Sequence, residues 1–228
     1  MAPPASPSGN LRAPRPVERT SPARKEEALG TLASTLVPRA RASATASRIA
    51  LVVAGSLLVA ALAQLEIHLP FTPVPITGQT LGVLLVGAAL GPGLGAASMG
   101  LYLLEGGVGL PFFAGGASGW SVLQMTSATG GYLWGFVATA AVVGWLARRG
   151  WDRSFRGAVA AMLIGEVVLY AVGVPWLAAA LGVSLERALE LGLYPFVVGD
   201  LLKLFAAAVL LPTAWRLVRG EERGPGSR

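Results

Sequence analysis

Three stretches of this chain, Arg48 to Leu65, Gly130 to Leu146 and Phe196 to Val218, are apolar along nearly their whole length. Each approaches the ~20 residues that an α-helix needs to cross a bilayer. Hydrocarbon offers no partner to backbone N–H and C=O groups, so segments of this kind span as helices that satisfy those groups internally. The first two are essentially uncharged, and the third carries only Asp200, Lys203 and Arg216. Charged residues make up 13% of the chain, against about 25% in a soluble domain. A polytopic membrane protein follows, with the lipid bilayer as its first partner.

Further spans are shorter or interrupted. Gly78–Leu90 and Leu94–Leu104 are glycine-rich and joined by Gly91-Pro92-Gly93, which reads as two spans packed inside the bundle, tilted or incomplete. Gly157 to Leu181 is long and apolar, contains Glu166, and reads as broken at Gly173-Val174-Pro175. The expected fold is therefore an all-α membrane protein, a compact bundle of about six transmembrane helices. Basic residues orient it: Arg39, Arg41 and Arg48 precede the first span, Arg148, Arg149, Arg153 and Arg156 follow the fourth, and Arg216, Arg219, Arg223 and Arg228 come last. Six crossings put all three clusters on one side. By the positive-inside rule that side, with both termini, is cytoplasmic. The net charge of +6 thus reads as topology rather than as a nucleic-acid footprint. Residues 1–47, rich in Pro, Ser, Ala and Arg, read as a disordered basic cytosolic tail without a signal peptide's apolar core. Residues 48–218 form the transmembrane domain, and 219–228 a second cytosolic tail.

The segment Leu69-Pro70-Phe71-Thr72-Pro73-Val74-Pro75-Ile76-Thr77-Gly78-Gln79-Thr80 joins the first two spans. Its prolines remove donors and bar a helix, leaving a stiff cap that delivers Gln79 to the mouth of a span. A buried amide needs a partner, and a ligand is the expected one. The later outer loop, Glu105–Thr129, is crowded with glycines that permit close backbone approach. Asp200 and Lys203, spaced i, i+3, share one helix face. Charges within a span are expensive and face a cavity or each other, so the pair is either a self-satisfied ion pair or a ligand clamp. As a clamp, the carboxylate accepts N–H groups and the ammonium donates to a carbonyl, which suits a urea-like ligand. Glu166, one turn before Tyr170, either lines the same cavity or bonds to a neighbouring helix. His68, beside Glu66, reads as an interfacial histidine. Ala46, Ala50 and Ala54 recur every fourth residue, a spacing that permits close helix approach, either internally or to a partner helix.

Several chemistries find no support. The chain has no cysteine and one histidine, so no metal site is expected. Ser98 does not sit in a nucleophile elbow and no second histidine supplies a base. There is no phosphate-binding loop for ATP hydrolysis.

Ordered motifs then carry a resemblance: Pro73-Val74-Pro75-Ile76-Thr77-Gly78-Gln79-Thr80-Leu81-Gly82, Leu90-Gly91-Pro92, Gly109-Leu110-Pro111-Phe112-Phe113-Ala114-Gly115-Gly116, Thr129-Gly130-Gly131-Tyr132-Leu133, Gly173-Val174-Pro175-Trp176-Leu177, and Pro195-Phe196-Val197-Val198-Gly199-Asp200-Leu201-Leu202-Lys203. Over about Ser47 to Leu217 the chain resembles the BioY family, the biotin-specific substrate-binding (S) components of energy-coupling-factor (ECF) vitamin transporters. The resemblance implies no enzyme. It implies biotin capture from outside the bacterial cytoplasmic membrane, alongside a membrane coupling subunit and two cytosolic ATPases, with biotin as ligand and no other cofactor. It assigns Asp200 and Lys203 to the ureido ring and Gln79 to the pocket, with Trp120, Tyr132 and Phe112 as apolar walls. Some members carry an arginine in the Gly-Gly loop to meet the ligand's carboxylate, where this chain has Ala117. Backbone N–H groups of Gly115–Gly119 (Gly115 and Gly116 among them), or Ser118, are expected to substitute. The chain also reads Ser127-Ala128-Thr129 where proline often precedes the threonine. An S component for another vitamin, and a non-catalytic assembly subunit, are the alternatives.

Overall fold

The computed structural model describes residues 31–32 and 41–221. From residue 41 on, the described residues form six α-helices: α1 Arg41–Ala63, α2 Gln79–Gly107, α3 Gly130–Arg148, α4 Phe155–Leu181, α5 Leu185–Gly192 and α6 Val197–Glu221. Among the described residues five helical segments are long and apolar enough to cross a membrane, and one of these runs through α5 into α6.

The longest call for comment is α2. At Gly91 its backbone leaves the helix, with φ 82 and ψ 177, a conformation that only glycine adopts readily. Pro92 then starts a fresh helical turn, where its missing N–H costs nothing. The two arms fold back on each other. A Cβ built on Gly95 would stand 3.0 Å from Gly87 Cα, whereas eight residues of straight helix span ~12 Å. Likewise Gln79 Nε2 donates to the Tyr102 hydroxyl at 2.6 Å. The bend is wedged against α3, since a Cβ on Gly144 would lie 2.4 Å from the Gly91 carbonyl carbon. The pair of short spans is thus one helical hairpin, kept thin by glycine so that α3 can pack flat on it.

Two corrections concern breaks and boundaries. α4 continues through Pro175, although a break there was expected. Gly173 instead admits the Tyr132 ring, which a Cβ would meet at 2.4 Å, and a spanning helix accommodates the lost proline bond. α1 begins at Arg41, so the helix takes in 41–47 of the expected tail. Thr31 and Leu32, also in that tail, are buried, and Leu32 packs with Leu84, Ala88, Val143 and Trp215. The rest of the expected tails lies outside the described residues.

The bundle has two distinct ends. At one, a Cβ on Gly91 would stand 3.2 Å from Arg148 Nε, and Trp215 Nε1 donates to Asp152 at 2.5 Å. At the other, Glu66–Ile67 and Ile76–Thr77 form β1 and β2, a two-stranded antiparallel ladder pairing Glu66 with Thr77. The proline-rich cap is therefore a β-hairpin rather than irregular loop. Thr72 Oγ1 ties it to the Leu191 carbonyl at 2.5 Å. Between α4 and α6 lies α5, capped by Ser184 Oγ accepting from the Arg187 N–H.

Candidate functional site

Beneath the β-hairpin lies a cavity of about 220 Å³. It is walled by the hairpin, the start of α2, residues 113–122, and α3, α4 and α6. Its apolar side is Phe113, Leu133, Phe136, Leu169 and Phe196, and its polar side is Gln79, Thr80, Tyr132, Tyr170, Asp200 and Lys203. The first turn of α6 presents Asp200 inward at 6% exposure, and the i, i+3 spacing brings Lys203 Nζ to Oδ1 at 2.9 Å. Lys203 also donates to Thr80 Oγ1 at 2.9 Å, and the Tyr170 hydroxyl donates to Asp200 Oδ2. A carboxylate has about four acceptor sites, so Asp200 keeps capacity for donors arriving in the cavity. The pair is thus a satisfied ion pair, and it faces a cavity.

Gln79 lines the cavity, yet its amide is satisfied within the protein: Oε1 accepts from Thr77 Oγ1 at 2.8 Å and Nε2 donates to Tyr102. The expectation that a ligand is its partner is corrected accordingly. Tyr102 passes the bond on to the Phe112 carbonyl at 3.1 Å, so Gln79 helps to pin the glycine-rich loop over the site.

That loop faces the cavity through Phe113, Ala114 and Ala117. Phe112, Gly115, Gly116 and Ser118 lie beside the lining rather than in it. The N–H groups of Gly116, Ala117 and Gly119 bond to Phe113, Ala114 and Gly106 carbonyls within the loop, which removes three of the expected anion donors. Trp120 is 56% exposed, its ring lying on Gly107, where a Cβ would meet it at 2.4 Å. It covers the end of α2 and is no wall of the cavity. Tyr132 is a wall, fixed by its hydroxyl on the Gly192 carbonyl at 2.8 Å and edge-on to Tyr170.

Glu166 does not reach this cavity. It lines a second, membrane-facing crevice between α4, α5 and α6, buried and with neither carboxylate oxygen hydrogen-bonded. Tyr170, Thr80 and Phe136 also line the cavity, a place the sequence does not assign them. Tyr170 could have been found by its position one helical turn beyond Glu166. His68, read as interfacial, does sit at the cavity mouth. On α1, Ala46, Ala50 and Ala54 are all exposed, and 28% of that helix's apolar window is buried against 67% for α3. Among the described residues, no cluster of His, Cys, Asp or Glu could hold a metal ion.

The fold and site define a polytopic helical membrane protein with a small, part-polar cavity beneath its β-hairpin. Comparison with known proteins narrows this. The BioY family model matches residues 35–220. The chain is 39% identical over 151 residues to the biotin transporter BioY of Rhizobium etli, covering 63% of this chain and 79% of that one. It is 38% identical over 144 residues to the biotin transporter BioY of Thermotoga maritima, covering 63% and 82%. The crystal structure of the S component for biotin from an ECF-type ABC transporter aligns with a TM-score of 0.66 at 25% identity, over 75% of this chain and 92% of that one. The chain belongs to the BioY family.

Proposed function

We infer that this protein is the non-catalytic substrate-binding component of a biotin uptake system of the ECF type. The observation that carries this reading at the level of residues is the Asp200–Lys203 pair facing a small, half-apolar cavity. Biotin offers two ring N–H groups, one ring carbonyl, an apolar thiophane and a valerate carboxylate. Asp200 accepts N–H, Lys203 donates to the carbonyl, and Phe136, Leu169 and Tyr132 enclose the thiophane. The valerate runs toward the mouth, past Ala117 and His68. The direct test is titration of purified protein with biotin and with thiamine and riboflavin as unrelated vitamins. Saturable binding of biotin alone is expected, and a stronger response to either other vitamin would overturn the assignment.

The topology we propose has six crossings of the bacterial cytoplasmic membrane, with the α2 hairpin supplying two and both termini inside. It is supported by the fold-back at Gly91 and by basic residues gathered at the Arg148 end. The cavity then opens outward. Because the chain lacks cysteine, Ala117→Cys should react with a membrane-impermeant maleimide in intact cells, and saturating biotin should slow it. Arg156→Cys, exposed at the opposite end, should react only after the membrane is breached. The reverse pattern would invert the topology.

The partners we propose are a membrane coupling subunit and two cytosolic ATPases, with Ala46, Ala50 and Ala54 as the docking face. These small side chains are exposed on the least covered helix and let another helix approach closely. Ala50→Trp adds bulk far from the cavity. Biotin binding is expected to persist while co-purification with the coupling subunit and uptake are lost. Retention of both, or loss of both, would rule out this face.

A further inference from the structure

Two cavities meet inside this bundle, and only Asp200 and Tyr170 line both. One is the polar-headed ligand cavity. The other is a crevice of about 480 Å³ between α4, α5 and α6, lined almost wholly by apolar side chains such as Leu163, Val167, Leu189 and Leu201. Val167 and Leu201 are 68% and 53% exposed on the outer surface of the bundle, so in a bilayer the crevice opens to acyl chains. Tyr170 stands where the two meet, bonded from α4 to Asp200 on α6 and edge-on to Tyr132 at 6.1 Å between ring centroids.

We propose that Tyr170 is a specificity-determining partition that keeps membrane acyl chains out of the ligand cavity. An acyl chain gains by burying methylenes in any dry apolar space. The ligand cavity has such space on its Phe136 and Leu169 side. Without a wall, lipid present in vast excess competes with a scarce solute for it. The ring supplies the steric barrier. Its hydroxyl holds the ring across the gap and leaves Asp200 one donor richer until the ligand arrives. Both parts of Tyr170 therefore serve selectivity, but only the ring blocks passage.

The inference rests on the biotin reading, and the test separates the two. Biotin affinity of the full-length protein, Tyr170→Phe and Tyr170→Ala is measured in detergent with and without oleate as the acyl probe. Wild type and Tyr170→Phe, which keeps the ring, should shift less than about twofold with oleate. Tyr170→Ala joins the cavities and should lose affinity at least tenfold as oleate rises, in competitive fashion. Tyr170→Leu, which retains more apolar bulk, should fall between and serves if the alanine variant does not fold. An equal oleate response in wild type and the alanine or leucine variant, including none in either, overturns the partition. Absence of biotin binding by the wild type would instead overturn the ligand assignment.

Discussion

Asp200→Asn is expected to weaken biotin binding by at least about tenfold. The substitution preserves size and one acceptor, and removes the charge. Hydrogen bonds to a charged group contribute roughly 1.5–3 kcal/mol, against about 1 kcal/mol for neutral pairs, and ~1.4 kcal/mol is a factor of ten in affinity. The geometry adds to the loss. Asp200 takes donors from Lys203 on one oxygen and Tyr170 on the other, and an asparagine must turn its NH₂ toward one of them. Turned toward Lys203 it sets donor against donor, and turned toward Tyr170 it makes that hydroxyl an acceptor whose proton must find another partner in a buried site. Titration calorimetry of variant and parent, each shown intact by size-exclusion chromatography, gives the comparison. Equal affinities would remove Asp200 from the ligand's contacts.

The spans and the ion pair were legible in the sequence because both are local. Twenty apolar residues define a helix in a bilayer without reference to anything else, and an i, i+3 spacing defines one helix face. What escaped was decided between segments. Gln79 was recognised as a buried amide in need of a partner, but Tyr102 lies across a hairpin whose existence depends on Gly91 leaving the helix. Gly173-Val174-Pro175 looked like a break because proline is judged by its own helix. The structure shows the glycine serving the Tyr132 ring of another helix. The family resemblance makes Trp120 a wall, and Gly107 offers it a flat seat elsewhere. For Glu166 the sequence leaves two places open, the cavity or a bond to a neighbouring helix, and the rotation of α4 sends it to the crevice, where neither oxygen is bonded. Tyr170, one turn further on, reaches both spaces.

Lys203→Met should destabilise the protein more than any other single change at the site, and a second substitution should undo the damage. Lys203 is 15% and Asp200 8% exposed at the side chain, so the pair sits where an isolated charge is poorly tolerated. Removing the ammonium leaves Asp200 with the Tyr170 hydroxyl alone. Breaking a buried pair from one side typically costs about 3–5 kcal/mol, because it leaves an uncompensated charge, while replacing both members by hydrophobic residues of similar volume is often neutral or stabilising. Asp200→Asn beside Lys203→Met likewise leaves no charge behind. The expected order of melting temperatures in detergent without ligand is therefore Lys203→Met lowest, with Asp200→Asn/Lys203→Met near the parent. A non-additive cycle of this size is diagnostic of direct coupling between the two positions. Function should follow the opposite course: the double variant regains stability but not biotin binding, because neither the ring N–H groups nor the carbonyl finds its charged partner. A double variant as unstable as Lys203→Met would show that the lysine matters through Thr80 or packing rather than through Asp200. A double variant that still binds biotin tightly would remove the pair from recognition altogether.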